Sequence, residues 1–335
     1  MKEVYPGIYE IKEKGPFGAF TPEVNVYVLA GGDGLIFDAG YGTRSSVAHF
    51  LGEIEKIKKL YESRALPFAI RRILPSHTHP DHVSGLLALR LCLNLRILLT
   101  ERMARVLQSR ESYYSAMEYD DERNVIRRKE ILRRIVAALE RVFYRSFYRR
   151  MSGLEFIPDP DEIISAESTI SINGDEWTIF PSPGHESDHI SLYCEKKGIL
   201  LCGDNILRTI TTWLGPPDSD IEDYITSLEY IAALPNLKLA LSAHGSPITN
   251  PRERIREIID YRKARIAQVR EIIKKHADRG ITVDALMKEL YARDGRFKKE
   301  MARGWVLLTL DYCEKHALAR RVKERGIVRY YPGTA

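Results

Sequence analysis

The segment Ser76-His77-Thr78-His79-Pro80-Asp81-His82 places three imidazoles and a carboxylate within seven positions. An apolar run from Ala69 to Leu74 delivers it, and a helical stretch, Leu86 to Leu93, follows. In an extended chain, side chains two apart point the same way, so His77 and His79 can grip one ion. The chain then turns and aims Asp81 and His82 at a second point close by. A lone histidine in a core is usually a satisfied structural residue. Four metal-capable residues at a strand-to-helix turn are a different signal, and they suffice to begin two metal sites. Imidazole and carboxylate suit zinc, although iron or manganese can use the same ligands.

Three more donors stand where apolar runs end. Glu176–Phe180 leads to Gly184-His185, Ile199–Cys202 to Gly203-Asp204, and Lys238–Ser242 to His244-Gly245. Each is weak alone. Together they put donors at a common sheet edge, where α/β proteins assemble sites from sequence-distant residues. Five of the nine histidines are thereby used. His49, His189, His276 and His316 read as structural, with His189 near enough to His185 to support the ligands from behind.

Outward from these motifs, the order of periodicities is β, β, α, β, α, β. Strands are expected at Val4–Ile11, Asn25–Ala30, Leu35–Asp38, Ala69–Leu74 and Arg96–Thr100, with a helix over Ser46–Tyr61. Such alternation predicts an α/β architecture with helices covering sheets. Residues 101–165, rich in Arg, Glu and Tyr, read as a helical insertion, with one long amphipathic helix over Arg123–Tyr148. Strands resume at Thr169, and a helix is expected over Asp223–Leu234. Residues 1–250 thus form one domain.

The tail, 251–335, predicts helices over Arg252–His276, Val283–Tyr291 (with Thr282 as N-cap) and Lys299–His316. A hairpin, Ala319–Val322 and Ile327–Tyr331, turns at Lys323–Gly326. Two helices and a hairpin in this order outline a winged-helix unit.

The 335 residues are 44% hydrophobic, enough for a sizeable core, and the net charge of +5 tolerates an anionic substrate without requiring one. The four cysteines form no CxxC pair. Cys92, Cys194 and Cys202 lie in apolar runs and read as buried thiols, which fits a reducing compartment. With no apolar leader and no run approaching about 18 apolar residues, the expected location is cytoplasmic and no membrane partner is expected.

The ordered set Asp38-Ala39-Gly40, HTHPDH at 77–82, Gly184-His185, Gly203-Asp204 and His244-Gly245 resembles the metallo-β-lactamase superfamily over roughly residues 1–250. The resemblance implies an αββα sandwich with metals at one edge of the two sheets. It implies that His77, His79 and His185 hold the first metal, that Asp81, His82 and His244 hold the second, and that Asp204 bridges both. It also implies that Asp38 orients ligands without being one. His79 stands where oxygen- and electron-transferring relatives carry Glu, which disfavours that chemistry. The roughly 40 residues between Asp204 and His244 leave no room for the cap domain of the nuclease branch. The tail is similar to that of lactamase-β-like hydrolases, some of which cleave RNA, while other relatives resemble glyoxalase II.

The expected activity is hydrolysis by a hydroxide bridging two zinc ions about 3.5–4 Å apart, with Asp81 handling a proton as well as ligating. The leading substrate class is a small ester, thioester or lactone. RNA phosphodiester cleavage is the second reading, carried by Arg127, Arg128, Arg133, Arg134, Arg141 and Arg145 and by the basic hairpin (Arg320, Arg321, Lys323, Arg325, Arg329). The same charges also suit a solvated helical face. Nucleic-acid binding through the winged helix is the third reading, and the tail could instead form a homodimer contact.

Overall fold

The computed structural model describes residues 1–15, 22–117, 151–292 and 295–334, and of residues 296–301 the backbone alone. The helix expected over Arg123–Tyr148, with its arginines, lies outside the described residues.

Seven strands form the first sheet in chain order: β1 (Lys2–Tyr5), β2 (Ile8–Glu13), β3 (Val24–Leu29), β4 (Gly34–Phe37), β5 (Ile70–Leu74), β6 (Arg96–Thr100) and β7 (Glu162–Ile164). β1 to β4 run antiparallel. β4 to β7 run parallel, and parallel neighbours need crossovers. Helix α1 (Arg44–Ser63) supplies one, with Thr43 accepting from the Ser46 amide at its N-terminus. Its buried stripe of Phe50, Ile54, Ile57 and Tyr61 has the spacing read from the sequence. Helices α2 (Pro80–Val83) and α3 (Leu86–Leu93) supply the next.

Two expectations change here. The single strand read over Val4–Ile11 is two strands, because Gly7 adopts a positive φ of 79° and turns the chain between them. The stretch read as an insertion begins with two short helices, α4 (Glu101–Leu107) and α5 (Arg110–Ala116), yet it ends in β7, which pairs with β6 and belongs to the sheet. Three residues are too few to show a strand period, so β7 is visible only through its partner.

The second sheet has the order β12-β11-β10-β9-β8, from β8 (Ser168–Ile172), β9 (Asp175–Pro181), β10 (Ile190–Cys194), β11 (Ile199–Leu201) and β12 (Leu239–Leu241). Helix α6 (Ile221–Ala233) crosses between the parallel pair β11 and β12. Side chains alternate across this sheet. Leu192 and Leu201, paired in register, join the core shared with the first sheet. Their neighbours Tyr193 and Leu200, also paired, face the opposite way into a second core with α6 and the C-terminal helices. Helices therefore cover the outer faces of two packed sheets, which is the αββα order. All five residues of β10 are buried because both its faces are covered.

The tail contributes α7 (Pro251–Lys275), α8 (Val283–Leu290), α9 (Arg296–Lys315) and the hairpin β13 (Ala319–Glu324) and β14 (Ile327–Pro332). Thr282 caps α8 as expected, accepting from Ala285 N at 3.3 Å. The hairpin turn is shorter than read: Arg325 and Gly326 alone make it, both at positive φ, as a two-residue turn requires. The apolar face of α7 joins the second core, so the tail shares its interior with the outer face of the five-stranded sheet. All four cysteines are unpaired, and Cys92 is exposed where burial was expected, on the outer face of α3. No helix among the described residues is long and apolar enough to cross a membrane.

Trp177 on β9 is 1% exposed in the core between the sheets. Trp177→Ala should destabilise the fold by about 3–5 kcal/mol, measured by denaturant unfolding. A loss below about 1 kcal/mol would show that the sheets do not depend on this contact.

Candidate metal centre

The directions of the strands bring the donors together. β4, β5, β9, β11 and β12 end at one edge of the sandwich, and the loops after them carry Asp38, His77 with His79, His185, Asp204 and His244 in turn. Asp81 and His82 lie in the single turn of α2, whose Pro80 starts the helix immediately after His79.

Seven side chains converge. His77 Nε2 and His185 Nε2 lie 3.0 and 3.1 Å from His79 Nδ1. His244 Nε2 lies 3.5 Å from Asp81 Oδ2, and His82 Nε2 lies 3.7 Å from Asp81 Oδ1. Asp204 stands between these sets: Oδ2 is 3.6 Å from His185 Nε2, while Oδ1 is 3.3 Å from His244 Nε2 and 3.7 Å from His82 Nε2. Donors bound to one tetrahedral zinc at 2.0–2.1 Å lie about 3.3 Å apart, so the spacing fits. His82 Nε2 is fully buried without a hydrogen-bond partner and points into this cluster. Every residue singled out as a ligand in the sequence is brought to it.

Each imidazole is held at its other nitrogen. His82 Nδ1 lies 3.1 Å from Asp38 Oδ2, His185 Nδ1 2.9 Å from Trp213 O, His244 Nδ1 2.6 Å from Glu23 O, and His77 Nδ1 3.0 Å from Ser76 Oγ. His79 is turned the other way, with Nε2 2.9 Å from Glu186 Oε1. Such partners fix each ring and, in its neutral form, leave a lone pair facing the cluster. Asp38 sits at φ 66°, a conformation Asp tolerates, and its other oxygen accepts from Ser76 N at 2.7 Å.

Two glycines explain the Gly-His and Gly-Asp pairs. A Cβ on Gly184 would stand 2.2 Å from Tyr224 Cα, and one on Gly203 would stand 2.5 Å from His189 Nε2. Both also adopt positive φ. His189 supports Asp204 directly, its Nε2 accepting from the Asp204 amide at 3.2 Å while Nδ1 meets Ser182 Oγ at 2.9 Å. Glu186 was not singled out in the sequence, although it adjoins His185. The carbonyls of Trp213 and Glu23 carry no side-chain signal at all.

The electrostatics ask for positive charge. Burial works against a charged His79, but the Glu186 carboxylate, with Asp81 and Asp204, raises its pKa to about 9. Burial likewise opposes a charged His244, and Asp204 with Asp81 lifts it to about 10. His185 is pushed down to about 4, by burial first and then by His79. Against burial, His244, His82 and His185 hold Asp204 well below the ordinary carboxylate range.

Comparison with known proteins adds the lineage. A family profile described as the metallo-beta-lactamase superfamily matches residues 21–244, about two thirds of the chain. The chain belongs to the metallo-beta-lactamase superfamily. It is 31% identical over 123 residues to the beta-lactamase-like protein 2 homolog of Caenorhabditis elegans, covering 37% of this chain and 39% of that protein. It is 32% identical over 97 residues to a hydroxyacylglutathione hydrolase of Chromohalobacter salexigens (29% and 37%). It is 27% identical over 116 residues to an atrochrysone carboxyl ACP thioesterase of Aspergillus fumigatus (34% and 35%). The matched stretches thus span about two fifths or less of each relative. In structure, a metallo-beta-lactamase family protein from Thermus thermophilus superposes with a TM-score of 0.71 at 21% identity, covering 98% of this chain and 99% of that one. A beta-lactamase domain protein from Burkholderia ambifaria gives 0.74 at 21% identity, over 99% and 93%. The shared fold therefore extends through the tail.

Two outcomes test this geometry. With pKa values of about 9 and 10, His79 and His244 carry protons at pH 7, and a divalent cation must displace them. Metal uptake should release protons, and affinity should fall as pH is lowered. Calorimetry in buffers of different ionisation enthalpy measures this, and pH-independent affinity would contradict it. Asp38→Asn, which removes the charge behind His82, should weaken metal affinity about 10- to 100-fold in a chelator competition.

Proposed function

We propose that this protein is a metal-dependent hydrolase with two divalent cations, zinc by donor type, acting on an ester, thioester or lactone. The observation that carries the reading is Asp204, whose two oxygens face two different donor sets, His185 on one side and His82 with His244 on the other. His77 Nε2, His79 Nδ1 and His185 Nε2 would hold one cation; Asp81, His82 and His244 would hold the other. Bound there, the cations supply Lewis acidity and a water that is nucleophilic at neutral pH.

The chain's own groups do the rest. His77 and His82 are fully buried, whereas His79 and His244 are part-exposed, so a substrate approaches from their side. Asp81, with 12% of its side chain exposed, is the carboxylate we assign to take the proton of the attacking water. The loop after Asp204 supplies two exposed apolar side chains, Ile210 and Trp213, suited to an acyl chain. The printed names of two relatives, a thioesterase and a hydroxyacylglutathione hydrolase, point to the same class.

The RNA readings draw less support from the hairpin. Arg321 Nε lies 3.2 Å from Glu314, Arg320 stacks 4.7 Å from the Tyr331 ring centroid, and Arg329 donates to the carbonyls of Arg279 and Gly280. We read the tail as a winged-helix unit used for support, and its shared core with the sheet favours that role. Four unpaired cysteines support a reducing, cytoplasmic setting.

The test is a hydrolysis panel of thioester, ester, lactone, phosphodiester and short RNA with the purified protein. Thioester or lactone turnover should disappear with chelator, return with zinc, and be absent in His79→Ala and Asp204→Ala together with lost metal content. Chelator-resistant turnover would reject the metal reading. Preferential cleavage of RNA, falling steeply with salt, would replace the acyl reading.

A further inference from the structure

Residues 205–217 follow Asp204 on the way to α6 and lie against the metal centre. Thr212 Oγ1 donates to Asp204 O at 2.5 Å, and Trp213 O receives His185 Nδ1 at 2.9 Å. The segment is therefore tied to two of the seven donors, which face each other within the cluster.

From the opposite side the same segment is gripped by the tail. Arg262, at mid-length on α7 and 5% exposed, donates through Nη2 to Thr212 O. Its guanidinium carbon lies 5.6 Å from the ring centroid of Tyr224, whose hydroxyl donates to Asn205 O at 2.7 Å. Arg254, two turns earlier, donates to Leu207 O at 2.8 Å and Ile210 O at 2.9 Å. Helix α9 closes on the far end: a methyl on Gly304 would stand 3.0 Å from Gly215 Cα.

Arg262 is the unusual member. No carboxylate pairs with it among the described residues, and its Nε has no hydrogen-bond partner. Burying a cation without a counter-ion is costly, and Met or Leu would fill this place in α7 more cheaply. What the guanidinium alone supplies is a rigid donor aimed at a fixed carbonyl.

We propose that Arg262 is a positioning residue of the metal centre, holding Thr212 from α7 and through it Asp204 and His185, so that the C-terminal helices are part of the active-site scaffold. Its link to the ligands rests on the metal reading above; its grip on the segment does not. Full-length Arg262→Met, Arg262→Lys, Thr212→Val and the Met/Val double variant are compared. Hydrogen exchange at the amides of residues 205–215 should accelerate about 10-fold in Arg262→Met, with β6 and β10 unchanged and the Lys variant intermediate. Cobalt titration of the same proteins should show about 10-fold weaker binding and a shifted visible spectrum. Thioester turnover should lose kcat more than KM. Arg262 bonds the Thr212 backbone carbonyl, which Thr212→Val leaves in place, so the double variant should bind cobalt more weakly than Thr212→Val, the added loss reporting on the tie to His185 through Trp213 O.

Native exchange in the segment overturns the proposal. So does a loosened segment with unchanged cobalt affinity and spectrum, because the grip then does not reach the ligands. A native chain that binds no cobalt rejects the metal reading instead, and the exchange data still decide whether Arg262 fixes the segment. If Arg262→Met does not fold, Arg262→Lys carries the same comparison.

Discussion

The structure turns on a carboxylate that cannot stay buried by itself. Asp204 is 8% exposed, and an unpaired carboxylate in that setting would be driven to its neutral form. It is held charged because imidazoles face both its oxygens, His185 on one side and His82 with His244 on the other. His82 and His244 are in turn drawn toward positive charge by Asp204, Asp81 and Asp38, whereas burial and His79 push His185 the other way. Neither set is stable without the other, and protons or cations must complete the balance. This mutual requirement is why the donors stand 3.0–3.7 Å from their neighbours although they come from loops far apart in sequence.

The sandwich meets that requirement through strand direction. Parallel pairing of β4 with β5 and of β11 with β12 carries Asp38, the 77–82 segment, Asp204 and His244 to the same edge. Antiparallel β10 between β9 and β11 returns β9 in the right sense to add His185. Close packing then fixes the loops, and at Gly184 and Gly203 a single Cβ would collide with a neighbour's backbone or ring. The edge is rigid because it is crowded, and crowding keeps the unshared nitrogens aimed inward.

Function, on the proposed reading, follows from the uneven exposure of the cluster. Its floor, His77 and His82, is sealed from solvent, while His79, Asp81 and His244 stay reachable. Among the described residues, water and substrate therefore meet the donors from the side of His79, Asp81 and His244. The helices of the tail press on the segment that follows Asp204, and their core continues that of the five-stranded sheet.

The sequence by itself determined the lineage, the alternation of the longer strands and helices and all seven candidate donors, because each of these leaves a local mark. His77, His79, Asp81 and His82 are adjacent in the chain, Gly184 and Gly203 announce tight turns before His185 and Asp204, and long helices such as α1 and α7 show their period over many residues. Tertiary structure alone decided what has no local mark. Three-residue β7 exists only through its pairing with β6, Cys92 faces solvent because of how α3 lies on the sheet, and His79 faces the cluster through a different nitrogen than its neighbours because Glu186 takes the other one. The carbonyls of Trp213 and Glu23, and the reach of Arg262 from α7, depend on chain segments meeting in space, and backbone oxygens are identical in every residue until the fold chooses which of them a histidine will find.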